Sequence, residues 1–92
     1  MKKIRVRLNV EGRVQGVWYR DSTRYKALEL GIKGWVKNRS DGQVEILAEG
    51  EKDTIDELKK WCYEGPPAAV VTGIKEENAE INGELISFDI VF

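Results

Sequence analysis

Between Ile4 and Glu11, apolar and polar residues alternate without a fault. Ile4, Val6, Leu8 and Val10 fall on one side, and Arg5, Arg7, Asn9 and Glu11 on the other. A two-residue period belongs to a strand with one buried and one wet face, not to a helix. The far end repeats the pattern, with Ile86, Phe88, Ile90 and Phe92 set against Ser87, Asp89 and Val91. The chain is therefore expected to begin and end in half-buried strands of a sheet.

The segments between them alternate in type. Gly12 and Gly16 end the first strand in a loop. Asp21, Ser22 and Thr23 supply capping side chains for a helix whose inner face carries Thr23, Ala27 and Leu30, widened by Leu28, and which Gly31 stops. A second strand over residues 32–38 leads into the hairpin turn Arg39-Ser40-Asp41-Gly42. A third strand covers residues 43–49, with Val44, Ile46 and Ala48 on one face. Glu51 and Asp53 favour the start of a second helix and Lys59 and Lys60 its end, while Ile55, Leu58, Trp61 and Cys62 recur at helical spacing. Gly65-Pro66-Pro67 terminates it. Residues 69–76 read as a strand, and residues 78–84, with Asn82-Gly83, as a turn.

The order is βαββαβ with an added C-terminal strand. It predicts an α+β chain folded as a two-layer α/β sandwich. Right-handed crossovers would place both helices on one face of a mainly antiparallel sheet. A length of 92 residues suits one domain over residues 1–92, with a small core.

Composition removes several functions. Net charge is −1, whereas nucleic-acid binders carry a basic surplus. No nucleic-acid partner is expected. No apolar leader and no run long enough to span a bilayer is visible, and the single cysteine, Cys62, suits a reducing compartment. The expectation is a cytoplasmic protein without a membrane partner, and a monomer by default. Histidine is absent, which removes a histidine base and histidine-ligated metals. Neither a metal nor any other cofactor is expected.

The segment that can carry chemistry is Gly12-Arg13-Val14-Gln15-Gly16-Val17-Trp18-Tyr19-Arg20. A strand-to-helix turn can gather successive backbone N–H groups into an anion site. The helix N-terminus behind it adds favourable potential, and the Arg20 guanidinium can donate paired hydrogen bonds. The Gly12–Gly16 spacing matches neither the dinucleotide fingerprint nor a nucleotide P-loop. On spacing alone the segment also reads as an ordinary connector.

The whole string resembles the signature of the acylphosphatase family. A second match follows in Gly34-Trp35-Val36-Lys37-Asn38, Asp41-Gly42 and Val44-Glu45. Further matches are Gly65-Pro66-Pro67-Ala68 and Phe88-x-Ile90. The resemblance implies a ferredoxin-like fold and metal-independent hydrolysis of acyl phosphates to a carboxylate and inorganic phosphate. It implies that the backbone of Val14, Gln15, Gly16, Val17, Trp18 and Tyr19 binds phosphate together with Arg20. Asn38 is implied to orient the attacking water. Trp18 departs from the many relatives with glycine there, and its bulk bears on access to the cradle.

Those roles suit the reaction. A carboxylate is a weak base, so its departure needs no strong general acid. What remains is positioning and electrostatics. An amide is no base near neutral pH, so Asn38 is given orientation alone, and the resemblance implies that the proton passes to a phosphate oxygen of the substrate. The second strand is expected beside the first, which would let Asn38 face the loop. Read without the loop, Asn38 is a turn residue bonding its own backbone, and Arg20 an exposed residue at the unfavourable end of a helix. Arg13 reads as a solvated loop charge. Trp35 and Trp61 read as core or near-core residues, Cys62 as a small apolar one, and residues 76–80 as a solvated loop. Two rivals share the fold: an RNA-binding module, which wants aromatics on the central strands, and an inactive relative that only senses phosphate.

Overall fold

The computed structural model describes residues 2–92, and its elements run β1 (Lys3–Arg13), α1 (Tyr19–Leu30), β2 (Lys33–Asn38), β3 (Val44–Glu51), α2 (Lys52–Glu64), β4 (Val70–Asn78) and β5 (Phe88–Ile90). The sheet order is β4-β1-β3-β2-β5. β1 pairs antiparallel with β3 and β4, β2 pairs antiparallel with β3, and β5 joins β2 in parallel. The expected two-layer arrangement is present, mainly antiparallel with one parallel edge.

Alternation decides which face is covered. Val6, Leu8 and Val10 of β1, Val36 of β2 and Val44, Ile46 and Ala48 of β3 are buried in one core, together with Ala27, Ile55, Leu58 and Cys62 of the helices. α1 packs on β2 and β5, and α2 on β1, β3 and β4. Outward-pointing Arg5, Glu45 and Glu49 satisfy one another and their neighbours on the open face. Glu49 lies 2.7 Å from the Arg5 guanidinium, and Glu45 lies 3.1 Å from that of Arg7.

Each helix is amphipathic in the spacing of its buried residues. α1 buries Tyr19, Thr23 and Ala27, and α2 buries Ile55, Leu58 and Cys62. Leu28 is exposed and does not widen the inner face of α1. Gly31 ends α1 in the left-handed region, and Ile32 N–H returns to the Ala27 carbonyl at 2.9 Å. α2 runs one turn past Lys59 and Lys60, and Gly65 closes it by donating to Trp61 O at 2.7 Å.

Three expectations about the sheet need correction. First, Gly12 does not end β1. A bulge between Glu11 and Gly12 lets pairing with β4 continue to Arg13. Second, the terminal strand shrinks to Phe88–Ile90, and Ile86 and Phe92 are exposed despite the alternation. Phe88 is buried in the core and Ile90 packs against it partly buried, because β5 meets β2 at just Gly34, Trp35 and Val36. Third, β2 does not lie beside β1. β3 lies between them, so that Val44 pairs with Val10 on one side and Asn38 on the other. Asn38 must reach the β1–α1 loop by another route.

Candidate functional site

The β1–α1 loop is pinned at both ends by apolar side chains. Val14 and Val17 are buried, and Tyr19 closes the loop from inside the core. The Tyr19 hydroxyl donates to Cys62 O at 2.7 Å, and its ring lies 5.6 Å from that of Trp61. Burial, with the neighbouring Cys62, pushes the Tyr19 hydroxyl pKa far above its ordinary value. It stays a neutral donor.

Between these anchors the backbone makes two left-handed steps, at Gly16 (φ 73°) and Trp18 (φ 67°). Glycine takes the first freely. Trp18 is the only non-glycine residue with positive φ among the described residues, at a cost of about 1–2 kcal/mol. Its side chain is also 76% exposed. A bulky apolar residue that is both strained and exposed is poorly explained by folding alone.

α1 starts directly after Trp18, and no side chain caps it. This overturns the expected capping by Asp21, Ser22 and Thr23, which lie inside the first turns. The Thr23 hydroxyl instead donates to the Tyr19 carbonyl at 2.7 Å. The first N–H groups of the helix are thus left without a side-chain acceptor where the loop opens.

The hairpin reaches the loop through Gln15. Its carboxamide nitrogen donates to Arg39 O at 2.8 Å and to Gln43 O at 2.9 Å. These carbonyls flank the β2–β3 turn, which is closed by Arg39 N–H to Gln43 O at 2.8 Å. Asp41 accepts the Gln43 N–H, the first of the contacts that hold its carboxyl below the ordinary range. Asn38 ends β2 just before this turn. Its Oδ1 is buried and has no partner among the described residues.

The result is a cleft of about 340 Å³ lined by Val14, Gly16, Trp18, Tyr19, Arg20, Asp21, Asn38, Ile90 and Phe92. Of the residues singled out from sequence, Val14, Gly16, Trp18, Tyr19, Arg20 and Asn38 meet here. Gln15 and Val17 do not line it: one is turned to the hairpin and the other to the core. The Arg20 guanidinium has no carboxylate partner among the described residues and lies 5.5 Å from the centroid of the Phe92 ring.

Sequence reasoning missed Asp21, Ile90 and Phe92 as lining residues. The terminal alternation, which put Ile90 and Phe92 on one face, was the available signal for two of them. Among the described residues, no three His, Cys, Asp or Glu side chains gather as potential metal ligands. No helix among them is long and apolar enough to cross a membrane.

Comparison with known proteins points to one family. Residues 6–90 match the family model described as Acylphosphatase. The acylphosphatase of Rubrobacter xylanophilus is 51% identical over 86 residues, covering 94% of this chain and 78% of that one. That of Methylococcus capsulatus is 49% identical over 87 residues, covering 95% of each. The solved structure of the Bacillus subtilis acylphosphatase superposes with a TM-score of 0.93 at 37% identity, covering 97% of this chain and 99% of that one.

Proposed function

Because the chain belongs to the acylphosphatase family, we propose that its cleft binds the phosphoryl group of an acyl phosphate through the loop backbone and Arg20 while Asn38 aims the water. The enzyme hydrolyses the mixed anhydride of a carboxylate and phosphate. Its products are the carboxylate and inorganic phosphate.

One observation carries the assignment of roles. An unpaired guanidinium, an amide oxygen without a protein partner and an uncapped helix N-terminus open on one cleft. A tetrahedral dianion satisfies the first and third together. The fork of Arg20 takes two phosphate oxygens, and the N–H groups of residues 14–19 and the first turn of α1 take the others. Asn38 Oδ1 accepts a hydrogen bond from the attacking water and fixes its line of approach to phosphorus. The water's proton passes to a phosphate oxygen. The carboxylate leaves unprotonated, which is why no acid side chain is assigned.

Charge on the phosphoryl oxygens is stabilised throughout by groups already in place. The reading needs no metal, and takes residues 1–92 as one domain acting as a cytoplasmic monomer.

The test is hydrolysis of benzoyl phosphate with EDTA present and inorganic phosphate as inhibitor. Chelator-resistant turnover with competitive inhibition is expected. Turnover that requires added Mg²⁺ would remove the metal-independent mechanism. Phosphate binding without turnover would leave only a sensor.

A further inference from the structure

The same cleft carries apolar side chains that phosphate binding does not use. Trp18, Ile90 and Phe92 line it beside Val14, together with the polar groups of Arg20 and Asn38. Trp18 is 76% exposed and Phe92 fully exposed, so neither ring is spent on the core. They come from unrelated parts of the chain: Trp18 from the left-handed step before α1, Phe92 from the segment after β5. Exposed aromatics converging on one cleft are the usual lining of a small-molecule site.

Their position relative to the reaction is fixed by Arg20. Its guanidinium lies 5.5 Å from the Phe92 ring centroid. A phosphoryl group held by Arg20 carries its acyl carbon only two bonds from phosphorus. Whatever is attached to that carbon must therefore lie close to the aromatic wall. A methyl group would leave most of the wall in water. A flat, apolar acyl group would cover it.

We infer that Trp18 and Phe92 are specificity-determining residues that bind the acyl part of the substrate and favour acyl phosphates whose acyl group is flat and apolar. This rests on the phosphate-cleft reading above. Contacts to the non-reacting part of a substrate raise kcat/KM for that substrate over one that lacks the group. The left-handed backbone at Trp18 then has a use. It turns a large ring out over the cleft where a right-handed residue would carry its side chain elsewhere.

The experiment compares kcat/KM for benzoyl and acetyl phosphate in the wild-type enzyme, Phe92→Ala, Phe92→Leu and Trp18→Gly, with the inhibition constant of inorganic phosphate measured in each. Glycine is chosen at position 18 because it accepts the left-handed backbone. In the wild type, benzoyl phosphate is expected to be preferred by ~10-fold or more, the scale on which an apolar pocket discriminates. Phe92→Ala and Trp18→Gly should each cut that preference by ~5-fold, while Phe92→Leu, still apolar, should retain about half of it on a log scale.

The inference is overturned if the active wild type shows no preference. It is also overturned if the variants lower both substrates by one factor while the phosphate inhibition constant rises, because the rings would then act only through Arg20. Absence of turnover on either substrate in the wild type would instead sink the catalytic reading and this inference with it.

Discussion

The carboxamide of Gln15 donates to the carbonyl of Arg39 at 2.8 Å, and so ties the β1–α1 loop to the turn that follows Asn38. A second bond from the same nitrogen, to Gln43 O at 2.9 Å, spans the turn. With β3 between β1 and β2, this bridge adds a direct tie between Arg20's loop and the turn after Asn38. Gln15→Ala should lower stability by about 1 kcal/mol. It should also lower kcat/KM for benzoyl phosphate by ~10-fold, since the two halves of the site lose their common frame. Thermal melts and steady-state kinetics on one preparation check both. A drop in melting temperature with unchanged kcat/KM would make the bridge structural only.

Arg20 and Asn38 should fail in different ways. Arg20→Gln removes the charge that grips phosphate in the ground state and more strongly in the transition state. It should therefore weaken inhibition by inorganic phosphate and reduce kcat by ~10²–10³-fold, the usual loss for a preorganised donor. Asn38→Ala should leave phosphate inhibition near wild type and lower kcat by ~10²-fold, because only the water loses its guide. Wild-type kcat in Asn38→Ala would remove the water-orienting role.

Most of the fold could be read from side-chain period, because alternation at residues 4–11 and the stripe of Ile55, Leu58 and Cys62 report burial directly. The loop motif placed five of its seven chosen residues on the cleft, and the second match placed Asn38 there. Two kinds of information were not local. The start of α1 was misread because a left-handed tryptophan, not a capping side chain, begins it. Residues 21–23 look like caps only when backbone geometry is unknown. The insertion of β3 between β1 and β2 is a matter of topology, and no residue in β2 announces its neighbour. Alternation also overran at the end, since it marks which face a residue would occupy but not whether a partner strand is long enough to receive it.

Glu49 gives the fold an acid limit. Its carboxylate receives the Arg5 Nε–H at 2.8 Å and lies 3.4 Å from Lys3 Nζ. Burial pushes its pKa up, but the Arg5 and Lys3 contacts outweigh that and hold it below its ordinary value of 4.5. A carboxyl that is more acidic in the folded state contributes stability above its unfolded pKa, and loses it as pH falls through the folded one. Melting temperature should therefore be flat from neutrality to about pH 5 and fall below that. In Glu49→Gln it should be lower at neutral pH and fall less on acidification. The same Arg5 also donates to Asn82 O at 3.0 Å. The variant should accordingly increase proteolysis of the segment after β4. Parallel acid slopes in the two proteins would show that other carboxyls set the limit.

Cys62 offers a probe of how the site is coupled to the rest of the fold. Burial within α2 pushes its thiol pKa up to about 12, and the residue is fully enclosed. Thiolate, not thiol, reacts with disulfide reagents. Native protein should therefore label only when α2 comes away from the sheet. The Tyr19 hydroxyl bonds the Cys62 carbonyl at 2.7 Å, so opening at Cys62 must also release the residue that closes the phosphate loop. Inorganic phosphate should then protect the thiol although Cys62 does not line the cleft. At 100 times its dissociation constant it would stabilise the closed state by about 2.7 kcal/mol, slowing labelling ~100-fold if opening is a pre-equilibrium. Tyr19→Phe should label faster and be protected less. Labelling that is fast in the native state, or slow but indifferent to phosphate, would show that α2 opens without disturbing the loop.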